Sequence, residues 1–271
     1  MSPAMTKDVA LIGLGEAAET FARAGGWQAR AQGWDLLPIR RMEMDDIAAS
    51  SVAESLAGAP LVLSLVTAHQ ALPAARAYAG HLAAGAIWCD GNSVAPDTKR
   101  FASIVVEAAG GRYVDMAILA PVQPARLTVP LLLAGEAAPD AAAALRMLGF
   151  SNVRVVGLDV GRASAIKMIR SVMVKGIEAL TAEMMLAADA AGVTDEVLAS
   201  LDASDTAQPW SARAAYNVDR MTIHGARRAA EMEEVAATLE ALGVEPVMTR
   251  GTVLRQRAAA DAPRATRGQA A

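Results

Sequence analysis

Near the N-terminus, Gly13-Leu14-Gly15-Glu16-Ala17-Ala18 sets two glycines and a small residue at the spacing G-x-G-x-x-A. The chemistry this spacing serves is the holding of a diphosphate. Gly13 lets the chain turn tightly. Gly15 has no Cβ, so the backbone can approach the phosphates, and Ala18 lets the next helix pack closely on the preceding strand. The free N–H groups and positive end of that helix then face the anion. A pair of glycines recurs by chance, and a tight strand-to-helix turn without ligand has the same pattern. Here Val9-Ala10-Leu11-Ile12 precedes it as a buried strand and a helical run follows, the context that a dinucleotide site needs. Gly13, Leu14, Gly15, Glu16 and Ala17 are its expected contacts.

Asp35 lies twenty residues after Gly15. A carboxylate there hydrogen-bonds the ribose 2′-hydroxyl of NAD and repels a 2′-phosphate. Arg40 and Arg41 follow, and a nearby arginine is what accommodates NADP; a turn carboxylate and two solvated arginines would look the same. The sequence leans to NAD and leaves NADP possible.

The elements that must position these groups are short apolar runs alternating with helical stretches. Strands are expected at Val9–Ile12, Ala29–Trp34, Leu61–Val66, Ala86–Asp90, Tyr113–Ala117, Leu131–Ala134 and Val153–Val156. Helices are expected at 16–24, 71–82 and 96–109. This predicts a doubly wound parallel α/β sheet with helices on both faces, a Rossmann domain. The pattern changes at Gly161. Arg162 to Ala191 contains no proline and one glycine, enough for a helix about 45 Å long at ~1.5 Å per residue. Ile166, Ile169, Met173, Ile177, Leu180 and Met184 recur at helical steps, which predicts one buried stripe. Further helices are expected near 195–201, 211–221 and 226–242, with no convincing strand. The expected division is a dinucleotide-binding domain over 1–160, an all-α domain over 161–257 and a flexible tail over 258–271.

Composition narrows the classes. The net charge is −4 with no basic excess, which argues against a nucleic-acid surface. One cysteine, Cys89, forms no intrachain disulfide. The opening residues lack the apolar core of a signal peptide, and no run of about 18 apolar residues occurs, so a cytoplasmic protein with no membrane partner is expected. No His, Cys, Asp and Glu cluster has metal-ligand spacing, and neither a P-loop nor a Gly-x-Ser-x-Gly elbow is present.

Four segments resemble the β-hydroxyacid dehydrogenase superfamily, which includes 3-hydroxyisobutyrate and 6-phosphogluconate dehydrogenases and, more distantly, imine reductases. They are Gly13–Ala18; Ser64-Leu65-Val66-Thr67; Asp90-Gly91-Asn92-Ser93-Val94-Ala95-Pro96, similar to Asp-x-x-Ser/Thr-x-x-Pro; and Gly161–Ser171, similar to G-x-G-x-x-x-K-x-x-x-N with Ala163 as the second small residue. The run from Lys167 to Leu180 looks closest to a branch with a distinctive C-terminal domain. The resemblance spans Val9 to about Arg257. It implies that Val66, Thr67 and Asn92 lie beside the nicotinamide half of the cofactor, that Lys167 is the general acid/base, and that Ser93 and Ser171 orient substrate. An ammonium can protonate or polarise a substrate oxygen while hydride moves at nicotinamide C4, and burial would lower its pKa. Lys167, Ser171, Val174 and Glu178 share one helix face.

The chain also departs from the family. Where the family has Asp-Ala-Pro-Val-Ser-Gly-Gly to hold a substrate carboxylate, this sequence has Asp115-Met116-Ala117-Ile118-Leu119-Ala120-Pro121. Serine and both glycines are gone, and Pro121 lacks a backbone donor. Met116, Leu119 and Pro121 fit a bulkier or more apolar substrate. Ser171 replaces the family's asparagine, and Arg170 beside it either recognises an anion or pairs with a carboxylate. Ala230-Glu231 replaces a Lys-Asp pair. Upstream, His224 has an unperturbed pKa suited to proton transfer, though a capping or structural role is the favoured reading. The expected function is NAD(P)-linked oxidation of a small hydroxy compound, or reduction of its carbonyl. Imine reduction and non-catalytic dinucleotide binding are the alternatives. The resemblance implies a homodimer through the helical domain, where Ala182–Ala191 offers an apolar surface.

Overall fold

The computed structural model describes residues 7–204 and 209–261. Seven strands form one sheet: β1 Val9–Ile12, β2 Ala31–Trp34, β3 Leu61–Ser64, β4 Ile87–Asp90, β5 Arg112–Ile118, β6 Leu131–Ala134 and β7 Val153–Gly157, in the order β2-β1-β3-β4-β5-β6-β7. β1, β3, β4 and β6 are buried along their whole length, because helices cover both faces. Alternate residues serve opposite cores. Val9, Leu11, Leu63, Cys89 and Val114 pack with Phe21, Trp27 and Phe150; Ala10, Ile12, Val62, Trp88 and Tyr113 pack with Ala75, Ala102 and Val106. In the first core the rings of Phe21 and Phe150 meet edge-on, centroids 4.9 Å apart, and the Trp27 indole N–H donates to the Leu148 carbonyl at 3.0 Å.

The chain steps outward from β1 to β2, then crosses back over β1 to β3. That reversal opens a crevice between the C-terminal ends of β1 and β3, where doubly wound sheets bind ligands. The pairs from β2 to β5 are parallel as expected, but β5 and β6 are antiparallel. Between Ile118 and Leu131 there is only one short helical turn, Arg126–Thr128. A parallel return needs a crossover, usually a helix, so the chain doubles back instead.

The helices of the sheet region are α1 Glu16–Gly25, α2 Pro38–Glu43, α3 Val52–Leu56, α4 Ala71–Tyr78, α5 Pro96–Ala108 and α6 Ala138–Met147. They are followed by α7 Arg162–Ala191, α8 Thr194–Ser204, α9 Trp210–Ala241 and α10 Val247–Asp261. Two compact units part between Ser171 and Val172, inside α7. The first ten residues of α7 thus belong with the sheet, where Ala163 and Ile166 pack against Ala117, Leu132 and Ala134.

Three expectations for the helical region need correction. Thr222 to Gly225 lie inside one unbroken helix, α9, rather than between two. A Cβ on Gly225 would stand 2.3 Å from the Gln256 carbonyl, so this glycine marks where α10 crosses α9, not a helix end. α10 was not anticipated, and it runs to Asp261, four residues into the stretch read as tail. Ile169, Met173, Ile177 and Leu180 are exposed, so most of the expected α7 stripe is not buried; Ile166 and Met184 are only half-buried. Among the described residues no helix is long and apolar enough to cross a membrane.

In the second unit, Glu183 on α7 is buried and caps the start of α10. It accepts from the Met248 and Thr249 amides at 2.6 and 2.9 Å and the Thr249 hydroxyl at 2.6 Å. Burial pushes its carboxyl up, but these donors outweigh it and hold the group below the ordinary carboxylate value. Glu183→Ala is expected to cost about 2 kcal/mol, since a hydrogen bond to a charged group is worth ~1.5–3 kcal/mol. The folded pKa is depressed, so the contribution is present above the unfolded value of about 4.3 and fades as pH falls through the folded one. Urea midpoints of wild type and variant should converge between pH 7 and pH 3; an unchanged gap would count against the cap.

Candidate active site

The glycine turn closes the C-terminal end of β1. Gly13 has φ +90°, and a Cβ on it would stand 2.7 Å from the Leu65 carbonyl oxygen. Gly15 differs: a Cβ there would meet nothing within 4 Å. It stands at the N-terminus of α1, which no side chain caps. The open space belongs to a cavity of about 570 Å³ whose walls include Gly13, Gly15, Trp34, Asp35, Leu65 and Tyr78. An uncapped helix end, a missing Cβ and a cavity beyond it fit a dinucleotide diphosphate.

Asp35, just past β2, accepts from the amides of Leu14 and Leu37, both at 2.8 Å. Its carboxylate therefore ties the glycine turn to the β2 end while forming part of the cavity wall. The arginines are engaged elsewhere. Arg40 pairs with Glu43 at 2.8 Å, although it also lines the cavity. Arg41 lies over the Trp34 ring, 4.5 Å from its centroid, and donates to the Asp35 and Leu36 carbonyls. His69 and Gln70 line the same cavity and were not anticipated. The available signal was their place within three residues of Thr67, following the loop that the resemblance sets beside the ribose. Thr67 lines this cavity as well, and its hydroxyl is 3.4 Å from His69 Nε2.

A second cavity, about 350 Å³, shares Leu65 and Val66 with the first. Its walls include Glu16, Ala17, Asn92, Ser93 and Lys167. Lys167 Nζ donates to Ser93 Oγ at 2.6 Å, joining α7 to the loop after β4. Asn92 is buried and held by its amide N–H groups, which donate to Ser64 Oγ at 3.0 Å and Asp90 Oδ1 at 2.7 Å. A carboxylate acceptor fixes which end of the amide faces it. Asn92 Oδ1 is left buried with no hydrogen-bond partner, an acceptor suited to a donor such as a carboxamide N–H.

Of the residues expected to contact substrate, Pro121 lines this cavity with Ile118, Ala120 and Val122. Met116 does not. It lies two residues inside β5, 1% exposed, in the sheet core. Leu119 packs with the cluster of Ala117, Leu132 and Ala163, and its carbonyl accepts from Arg170 at 3.2 Å. Arg170 is exposed. The Ser171 hydroxyl donates to the Lys167 carbonyl at 2.9 Å, one turn back along its own helix, and lines neither cavity. His224 is exposed on α9 in the second unit. Burial pushes the Cys89 thiol up to about 12, which leaves it a core residue rather than a nucleophile. Among the described residues, no three His, Cys, Asp or Glu stand together as a metal site.

This arrangement defines a dinucleotide-type Rossmann unit with a lysine–serine pair in the adjoining cavity, followed by a helical unit. A family model described as a domain of unknown function, DUF1932, matches residues 188–259. The chain is similar over 99% of its length to a conserved hypothetical protein from Sinorhizobium meliloti 1021, at 37% identity, 92% of that chain and a TM-score of 0.62. It is similar to the conserved protein MTH1747, whose structure is described as resembling 3-hydroxyacid dehydrogenases, at 30% identity, 93% and 96% coverage and a TM-score of 0.58. An imine reductase from Streptomyces aurantiacus shares the fold at 19% identity, with a TM-score of 0.76 over 93% and 94% of the chains. The chain belongs to the β-hydroxyacid dehydrogenase superfamily, in a branch with its own C-terminal domain.

Proposed function

We propose that this chain is an NAD(P)-dependent oxidoreductase that interconverts a small hydroxy compound and its carbonyl. The observation that carries the reading is the Lys167–Ser93 pair, 2.6 Å apart, in a cavity sharing Leu65 and Val66 with the one beside the glycine turn. Nicotinamide, when bound, supplies or accepts a hydride at its C4. Gly15 and the α1 N-terminus would hold the diphosphate, Asp35 the adenosine ribose, and Asn92 Oδ1 the carboxamide. During reduction the Lys167 ammonium gives a proton to the substrate oxygen; during oxidation the neutral amine takes it back. Ser93 fixes the direction of the amine. The apolar wall of Ile118, Ala120, Pro121 and Val122 takes the substrate's flank. Glu16, on the same cavity, disfavours a second carboxylate there.

The test is a panel of hydroxy compounds, with and without a carboxylate, read by absorbance of the reduced cofactor. Uncharged, apolar-flanked compounds should turn over best; tight cofactor binding with no turnover anywhere would sink the reading. The apolar wall also suits a cyclic imine, and imine reductases share this fold. Yet a lysine aimed at the reacting atom serves an oxygen better than a basic nitrogen that arrives protonated. Faster turnover of imines than carbonyls would reverse that ranking.

Asp35 favours NAD. Asp35→Ser should weaken NAD by about tenfold, the loss of one hydrogen bond to a charged group, and bring NADP to equal or better affinity. Titrations of both cofactors check this, and unchanged selectivity would move the determinant elsewhere. The exposed stripe of Met173, Ile177 and Leu180 is the proposed surface for a second copy. Light scattering should give twice the chain mass, and Ile177→Glu should halve it.

A further inference from the structure

A buried ion cluster underlies the site and has no part in the proton transfer itself. Asp90 at the end of β4 and Asp115 on β5 are register partners on adjacent strands, and both are buried. Two carboxylates so placed repel each other and need a cation. Lys99, 0% exposed in the first turn of α5, supplies it. Its Nζ donates to Asp90 Oδ1 at 2.9 Å and to the Asp90 carbonyl, and lies 3.5 Å from both Asp115 Oδ1 and the Met116 carbonyl. A lysine buried this completely is rare unless paired.

Each aspartate holds one half of the reactive pair. Asp90 Oδ1 accepts from the Asn92 amide at 3.0 Å and the Asn92 side chain at 2.7 Å, and Oδ2 accepts from the Tyr113 hydroxyl at 2.7 Å. This pins the loop that carries Ser93. Burial and the adjacent Asp90 push the Tyr113 phenol well above its ordinary value, so it remains a donor. Asp115 Oδ2 lies within reach of the Gly161 amide at 3.1 Å, the Ser164 amide at 2.9 Å and the Ser164 hydroxyl at 3.0 Å. This pins the first turn of α7, three residues before Lys167.

We propose that Lys99 is a positioning residue: by joining Asp90 to Asp115 it locks the Ser93 loop and the Lys167 helix to one point in the sheet, and so sets the Lys167–Ser93 hydrogen bond. The inference rests on reading that pair as the reactive one, but it can be tested without turnover. The chain has four lysines, Lys7, Lys99, Lys167 and Lys175, so acetylation by acetic anhydride can be followed lysine by lysine by mass spectrometry. The double variant Lys99→Met with Asp115→Asn removes one charge of each sign. At pH 8 its Lys167 should acetylate at least about threefold faster, relative to Lys7, than in wild type, and Ser93→Ala should give a similar rise. Combined, the three changes should give no more than either alone, since residues of one network do not add. An unchanged rate in a cooperatively melting variant, or fully additive rises, would overturn the proposal. Asp115→Asn alone, which is isosteric, should shift the rate in the same direction and decides the matter if the double variant does not fold. Non-additive labelling in a chain that turns over nothing would keep the network and remove the oxidoreductase reading; turnover with unchanged labelling would do the reverse.

Discussion

Lys167→Ala is expected to lower turnover by about 10²–10⁴-fold, the range that positioned general acid–base groups contribute, while cofactor dissociation constants stay within about threefold. The two readouts separate because Lys167 lines the second cavity and is not among the residues lining the one beside the glycine turn. Lys167→Arg should fare little better: a guanidinium keeps the charge but does not give up its proton near neutral pH. Ser93→Ala should cost less and should add little to Lys167→Ala, because the serine acts through the amine it holds at 2.6 Å. A Lys167→Ala protein with wild-type turnover would move the acid elsewhere. An unsubstituted chain that binds cofactor and turns nothing over would favour a dinucleotide-binding protein without chemistry.

The sequence revealed those parts of the site that depend on local chain geometry. The β1 strand, the glycine turn and the start of α1 follow from residue types within ten positions, because a buried strand, a positive φ at Gly13 and an open approach at Gly15 each demand particular residues. Long-range packing was not legible. Gly225 reads locally as a helix end, costing about 1 kcal/mol in a helix interior; only the approach of α10 shows why α9 keeps it. Met116 and Ile118 share a strand face, so periodicity alone could not show that the first is core and the second lines a cavity. Their depth along β5 decided it. α2 carries exposed Ile39 and Met42, which hide its period. Lys99 gave no signal at all. A helical lysine is ordinarily solvated, and only the pairing of Asp90 with Asp115 across two strands creates its need for burial.

The two glycines of the turn should fail in different ways. Gly15→Val places a side chain in the open space before the α1 N-terminus, where nothing of the protein lies within 4 Å of a Cβ. The fold has no objection to it, so the melting temperature should hold. The phosphates do: displaced from backbone N–H groups, they lose charge-assisted hydrogen bonds worth about 1.5–3 kcal/mol each, so losing two predicts a fall in cofactor affinity of a hundredfold or more. Gly13→Ala meets the chain itself, a Cβ 2.7 Å from the Leu65 carbonyl at a φ of +90° that alanine rarely adopts. Strain of about 1–3 kcal/mol should appear first as lost stability. Cofactor titrations and thermal melts of both variants separate the outcomes. If Gly15→Val melts early and still binds, the space before α1 is structural and the diphosphate lies elsewhere.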